Sequence, residues 1–145
     1  MKLSTKSRYG LRILVQIAAE SETRTAVKGK AIAGGQNISE AYLEQIMIPL
    51  KNAGLVKTVR GCNGGYALNR KPENITVLDV VELFEGKVQF VKCVGEEGAC
   101  ERSGTCTVSA VWKHLSEVIR KEASQITLAE LAEKEKKINR MDYII

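Results

Sequence analysis

Three cysteines fall within fourteen residues, Cys93, Cys100 and Cys106 in "CVGEEGACERSGTC". Deprotonated thiols are soft ligands and good nucleophiles, so thiols gathered this closely point to a soft metal, an inorganic cluster or a redox switch. Gly95, Gly98 and Gly104 lie among them. Glycine lets backbone N–H groups approach the sulfides of an iron–sulfur cluster, and that chemistry is favoured here. Zinc is the second possibility, although its paired C-x(2–4)-C knuckles are absent. A thiol switch or disulfide is the third. Cys62 stands apart from the group and reads as a structural bystander.

A tetrahedral site needs a fourth donor. His114 is the only histidine and lies eight residues past Cys106. On a continuous helix that is about 12 Å along the axis, too far to share one cluster with Cys106. Ser109 is about one turn on and on the same side as Cys106. A serine alkoxide binds weakly near neutral pH. The expected set is therefore three thiolates and one weak oxygen ligand, either Ser109 or one of Glu96, Glu97 and Glu101.

Charge points to a second activity. Residues 1–75 hold 12 Lys/Arg against 5 Asp/Glu, whereas residues 76–145 hold 10 against 12. The net charge of +5 is thus an N-terminal property, as expected of a half that meets a polyanion. No nucleophile–base spacing accompanies the single histidine, so an enzyme is not expected. The first residues lack a signal-peptide core and no apolar run reaches spanning length. A cytoplasmic protein without membrane attachment is expected, and a reducing compartment favours metal or redox roles for the cysteines over disulfides.

The elements that must position these residues are mostly helical. Residues 4–20 predict a helix capped by Ser4 or Ser7, with Tyr9, Ile13, Leu14 and Ile17 on one face. A short helix over 27–35 should stop at Gly34-Gly35. A third over 37–54 should be capped by Ser39 and stopped by Gly54, burying Leu43, Ile46, Met47 and Leu50, with Pro49 bending or weakening it. Strands over 55–60 and 65–70 flank "GCNG", where Asn63-Gly64 signals the hairpin turn. A helix-turn-helix followed by a glycine-rich hairpin is a winged helix. Further helices are expected over 74–86, 107–124 and 126–137, with residues 138–145 as a tail that docks or frays. The 107–124 helix carries Val108, Val111, Leu115 and Val118 at spacings of three and four, widened by Trp112 and Ile119. So broad an apolar face suggests packing on a second copy.

On that frame the start and exposed face of the third helix should read DNA. Gln45 pairs with adenine, Glu44 accepts from cytosine, and Ser39 and Tyr42 reach phosphates. Arg60 at the wing tip suits a narrow minor groove, and Lys28 and Lys51, with Lys2, Lys6 and Arg8, add phosphate affinity.

"KLSTKSRYGLR", "ISEAYLEQIMIPLKNAGLVKTVRGCNGGYAL" and the three-cysteine loop followed by "VWKHLSEVI…ITLAEL" resemble one family. It is the family of winged-helix regulators that contains the iron–sulfur cluster regulator IscR, nitric-oxide-sensing NsrR and CymR, with IscR the nearest in pattern. The resemblance runs from residue 1 to about residue 133. It implies a dimeric regulator with a [2Fe–2S] or, in some branches, a [4Fe–4S] cluster, the former expected here. It also implies that Ser39, Tyr42, Glu44, Gln45 and Arg60 occupy DNA-reading positions and that Cys93, Cys100 and Cys106 are cluster ligands. The family's histidine ligand three residues past the last cysteine corresponds to Ser109, and the nitric oxide sensors' aspartate to Arg8. CymR-like members lack the cysteine triad.

The expected protein is mainly α with a small β-hairpin wing: a winged helix-turn-helix plus a long dimerisation helix. Its expected divisions are a DNA-binding domain over 1–86, a cluster loop over 87–106, a dimerisation helix over 107–125 and a short helix and tail over 126–145. The expected function is cluster-dependent transcription regulation of iron–sulfur assembly genes, cluster occupancy altering operator preference. Its partners would be double-stranded operator DNA, a second copy, and the cluster-assembly machinery as donor. The alternatives are an electron-transfer or scaffold protein that binds no DNA, and a nitric-oxide or redox-sensing repressor of the same family.

Overall fold

The computed structural model describes residues 2–144; Met1 and Ile145, the outer ends of the first and last expected divisions, lie outside the described residues. Ser4 Oγ accepts from Ser7 N–H at 3.1 Å and starts α1, Thr5–Glu20. α2 spans Gly29–Gln36 and contains the Gly34-Gly35 pair that was expected to end it. The actual stop is Asn37 in the left-handed region (φ 54°, ψ 48°). Its N–H meets the Gly34 carbonyl at 3.2 Å, and Ile38 N–H meets that of Ala33 at 3.0 Å. Asparagine tolerates this conformation better than most residues, so it closes the helix where a glycine is the commoner choice.

Ser39 caps α3, Glu40–Asn52, accepting from Tyr42 N–H at 3.1 Å. The helix is shorter at both ends than 37–54. Gly54 (φ +72°) completes its exit, with Leu55 N–H bonded to the Leu50 carbonyl at 3.0 Å. Pro49 sits inside without ending it. The N–H it lacks would have met the carbonyl of Gln45, an exposed residue, so water can satisfy that group.

Polar side chains link α1 to α2. Gln36 Nε2 donates to Gln16 Oε1 at 2.7 Å, and Gln16 Nε2 donates to Glu20 Oε1 at 3.1 Å. Gly35 lies beneath this chain, where a Cβ would come within 2.8 Å of the Gln16 amide.

The wing is β1 (Val56–Val59) antiparallel to β2 (Gly65–Leu68), with Val56 opposite Leu68. A one-residue bridge adds Val27 beside Tyr66, through paired bonds of 2.8 and 2.9 Å. Gly65 permits that approach, since a Cβ there would stand 2.2 Å from the Val27 carbonyl oxygen. The turn differs from the expected Asn63-Gly64 type. Cys62 and Asn63 are central, closed by Gly64 N–H to the Gly61 carbonyl at 3.0 Å, and Asn63 has no positive φ.

A 3₁₀ turn, Pro72–Asn74, leads to α4, Val77–Glu85, whose start is a capping box between Thr76 and Asp79. A short α5, Lys92–Gly95, precedes α6, Ser109–Gln125, and α7, Leu128–Asp142. α7 thus absorbs part of the expected tail. Ile13, Leu14, Ile32, Ile46, Ile75 and Val80 form one buried core, and Leu128 and Ala132 of α7 belong to it. The return of the chain is pinned by Leu128 N–H to the Ile75 carbonyl at 2.8 Å and by Lys136, which pairs with Glu22 at 2.6 Å and Glu133 at 2.8 Å.

α6 packs on α4 and α5. Trp112 does not widen its outer stripe; it turns inward and stacks on Phe90, ring centroids 6.3 Å apart. Val108, Val111, Leu115 and Val118 remain outside, between 37% and 50% exposed.

Candidate nucleic-acid interface and cysteine loop

Ser39 and Tyr42 are held by the fold that presents them. Ser39 Oγ accepts the helix-start N–H already described, which leaves its hydroxyl proton free to donate. Tyr42 is half-buried, its ring edge-on to Tyr9 of α1 at 6.0 Å between centroids, and Arg12 lies over Tyr9 at 5.1 Å. Tyr9 and Arg12 therefore brace the start of α3. Sequence reasoning placed Tyr9 in the buried stripe and gave Arg12 no role; helical spacing along α1 gave no sign that Tyr9 meets α3.

The side chains of Glu44 and Gln45 are exposed and make no hydrogen bond or ion pair within the chain among the described residues. Glu44 does face Tyr66 of β2: burial, then this carboxylate, raises the Tyr66 phenol above its ordinary pKa. Lys51 stands over the Tyr66 ring, its Nζ 6.0 Å from the centroid. Tyr66, which sequence reasoning missed, thus links α3, the wing and Val27. Period-two alternation along "GYAL" marks it as a strand residue but does not reveal these partners. Arg60 is exposed where β1 passes into the turn, and Lys28 is exposed immediately before α2. Arg24, Lys28 and Asn63 line a polar cleft of about 510 Å³ between the turn after α1 and the wing. Cations and uncommitted polar groups at helix starts and a wing suit a phosphate backbone with base edges inside it.

The three loop cysteines are free thiols, each partly buried, while Cys62 is exposed in the wing turn. Cys93 lies on α5, Cys100 in the following turns and Cys106 three residues before α6. Among the described residues no three Cys, His, Asp or Glu side chains are gathered closely enough to hold one metal ion. The donor chemistry fits a soft metal or cluster; the loop must close further to bring its thiols together. Its glycines, with Gly98 at φ +81°, leave the backbone free to do so.

Cys93 and Ser109 share a cavity of about 260 Å³ with Ser103 and Lys113. A lysine there offsets the negative charge that ligating thiolates bring. Ser109 Oγ donates to the Cys106 carbonyl at 2.7 Å, so its proton is committed to the backbone beside the last thiol. His114 is exposed and is not among the residues of that cavity.

No helix among the described residues is long and apolar enough to cross a membrane. A family model described as "Rrf2: Iron-dependent Transcriptional regulator" matches residues 3–134. The HTH-type transcriptional regulator CymR of Bacillus subtilis (strain 168) is 38% identical over 133 residues, 91% of this chain and 90% of that protein. The HTH-type transcriptional regulator IscR of Klebsiella pneumoniae (strain 342) is 37% identical over 131 residues, 90% of this chain and 79% of that protein. The solved structure of T. potens IscR superposes with a TM-score of 0.76 at 33% identity, covering 95% of this chain and 90% of that one. Similarity to CymR and to IscR is nearly equal, so overall identity does not separate the two. These relatives are named as transcriptional regulators, not as enzymes or electron carriers. With the winged helix described above and a match over most of its length, the chain belongs to the Rrf2 family of transcriptional regulators.

Proposed function

We propose that this regulator binds operator DNA as a homodimer in the cytoplasm and that its operator preference depends on an iron–sulfur cluster, [2Fe–2S] in form. The genes proposed as its targets are those of iron–sulfur assembly, whose machinery would also donate the cluster. The observation that carries this reading is the set of three partly buried free thiols in one glycine-bearing loop, between α4 of the DNA-binding unit and α6. Cys93, Cys100 and Cys106 would hold the group. Ser109, beside Cys93, or a carboxylate from Glu96, Glu97 or Glu101 would take the fourth position. When bound, such a cluster supplies a cross-link that iron supply and oxidants make and break.

The chain's own residues do the rest. Ser39, Tyr42, Lys28 and Lys51 take phosphates, Glu44 and Gln45 meet base edges, and Arg60 enters the minor groove. Val108, Val111, Leu115 and Val118 form the seam with the second copy. Closing the loop orders the segment between α4 and α6 and shifts the relative placement of the two recognition helices. Because free thiols can also answer oxidants directly, a nitric-oxide- or redox-sensing repressor of the same family is the second reading.

Anaerobic purification with an absorption spectrum and counts of iron and acid-labile sulfide is the test. Coloured protein with both elements is expected. Alanine at Cys93, Cys100 or Cys106 should abolish the visible absorption, and His114→Ala should leave it. Colourless protein that also resists reconstitution would refute the cluster. Fragments of genomic DNA selected by the purified protein test the target genes.

A further inference from the structure

The segment that carries Cys93 is fastened by two side chains outside both the ligand set and the DNA interface. Ser116 of α6 is 4% exposed. Its Oγ accepts from Phe90 N–H at 3.1 Å and donates to the Trp112 carbonyl at 2.7 Å. Beside it Trp112 stacks on Phe90. Two residues earlier, Val88 N–H donates to Glu82 Oε1 of α4 at 3.1 Å, and the same carboxylate pairs with Arg120 of α6. One side chain thus ties the segment to α6, and the other ties it to α4 and α4 to α6.

Contact continues beyond α4. Phe84 closes on Gly10 of α1 so tightly that a Cβ there would come within 2.5 Å of the ring. The preceding residue, Tyr9, is the one set edge-on against Tyr42 at the start of α3. A packed interior transmits displacement because it cannot deform continuously.

We infer that Ser116 and Glu82 are positioning residues that relay closure of the cysteine loop to the recognition helix. The inference rests on the proposed function. Drawing Cys93 toward the other thiols pulls on residues 88–92. With Val88 and Phe90 held, that pull is delivered to α4 and α6 rather than absorbed as local slack.

Two readouts test this. In the cluster-free protein, alkylation of Cys93 is followed by mass spectrometry of its peptide. Ser116→Ala should label about two- to tenfold faster, the range that one lost hydrogen bond gives, and Ser116→Thr should restore the parent rate. Because Ser116 is buried, Glu82→Ala, at a side chain 28% exposed, is the second variant. The second readout is the ratio of operator affinities with the cluster reconstituted and removed. Both alanine variants should take up the cluster and bind the operator when empty like the parent, with that ratio falling toward one. A purely structural role would lower both affinities together and keep the ratio. A parent ratio preserved in both variants, or unchanged Cys93 labelling in both, overturns the relay alone. A parent whose ratio is already one overturns the proposed function and the relay with it.

Discussion

Shortening Leu128 to alanine removes three carbons from a side chain that is 1% exposed and packed in the same cluster as Ile13, Leu14 and Ile17. If α7 is integral to the DNA-binding unit, the cost is that of a core cavity, about 2–5 kcal/mol. For a chain of this size that lowers Tm by on the order of 10 °C. Ile138→Ala is the control on the same helix: 52% exposed, it should change stability by no more than about 0.5 kcal/mol. Thermal unfolding is followed by far-UV circular dichroism and by the fluorescence of Trp112, at one protein concentration because association shifts Tm. The two signals should move together in Leu128→Ala, and operator binding should fail at the lowered midpoint. If Leu128→Ala loses helical signal alone while the remaining transition and DNA binding are unchanged, α7 is an appendage and the shared core has been misjudged. A shift no larger than that of Ile138→Ala would be equally fatal.

Arg60→Ala should cost about 1–3 kcal/mol of specific operator binding, and equal affinity at matched salt would remove the wing from the interface. Glu44→Ala should relax sequence preference more than it raises affinity; uniform tightening on all DNAs would reduce Glu44 to a plain repulsion. Placing Lys at both Leu115 and Val118 should dissociate the dimer, and sedimentation showing it intact would move the seam elsewhere. Hydrogen bonding by the Ser4 side chain first, and then by the Ser4 N–H that Glu85 accepts at 2.8 Å, holds the Glu85 carboxyl below the ordinary range. The stability it adds is present above the unfolded carboxylate pKa and lost as pH falls through the lower folded value. Glu85→Gln should therefore flatten the acid limb of a stability–pH curve, and an unchanged limb would discount those bonds.

What the sequence disclosed was local. Leu43, Ile46, Met47 and Leu50 are buried as their spacing requires, and Ser39 caps the helix they lie on, because periodicity and capping act within one turn. The end of α2 falls past the two glycines because Asn37 takes the left-handed conformation and Ile38 N–H closes on the Ala33 carbonyl, which glycine propensity does not disclose. The place of α7 in the core was not legible, since only Leu128 and Ala132 of this helix are buried. Distant partners left no trace: Val27 with Tyr66, Tyr9 with Tyr42, Glu82 with Arg120. In the loop the residue types declared their chemistry, but spacing through glycines fixes no distance between thiols.

The polar chain from Glu20 through Gln16 to Gln36 has a consequence for how this protein tolerates change. A carboxylate only accepts, so Glu20 dictates which end of the Gln16 amide faces it, and Gln16 in turn dictates the orientation of Gln36. Replacing Glu20 with a donor would invert every polarity along the line, and a side chain at position 35 would displace its middle member. A change at position 16, 20 or 36 is therefore expected to call for a matching change at the others. In a set of related sequences these three should behave as a single heritable unit, even though none of them touches DNA or metal in the roles assigned above.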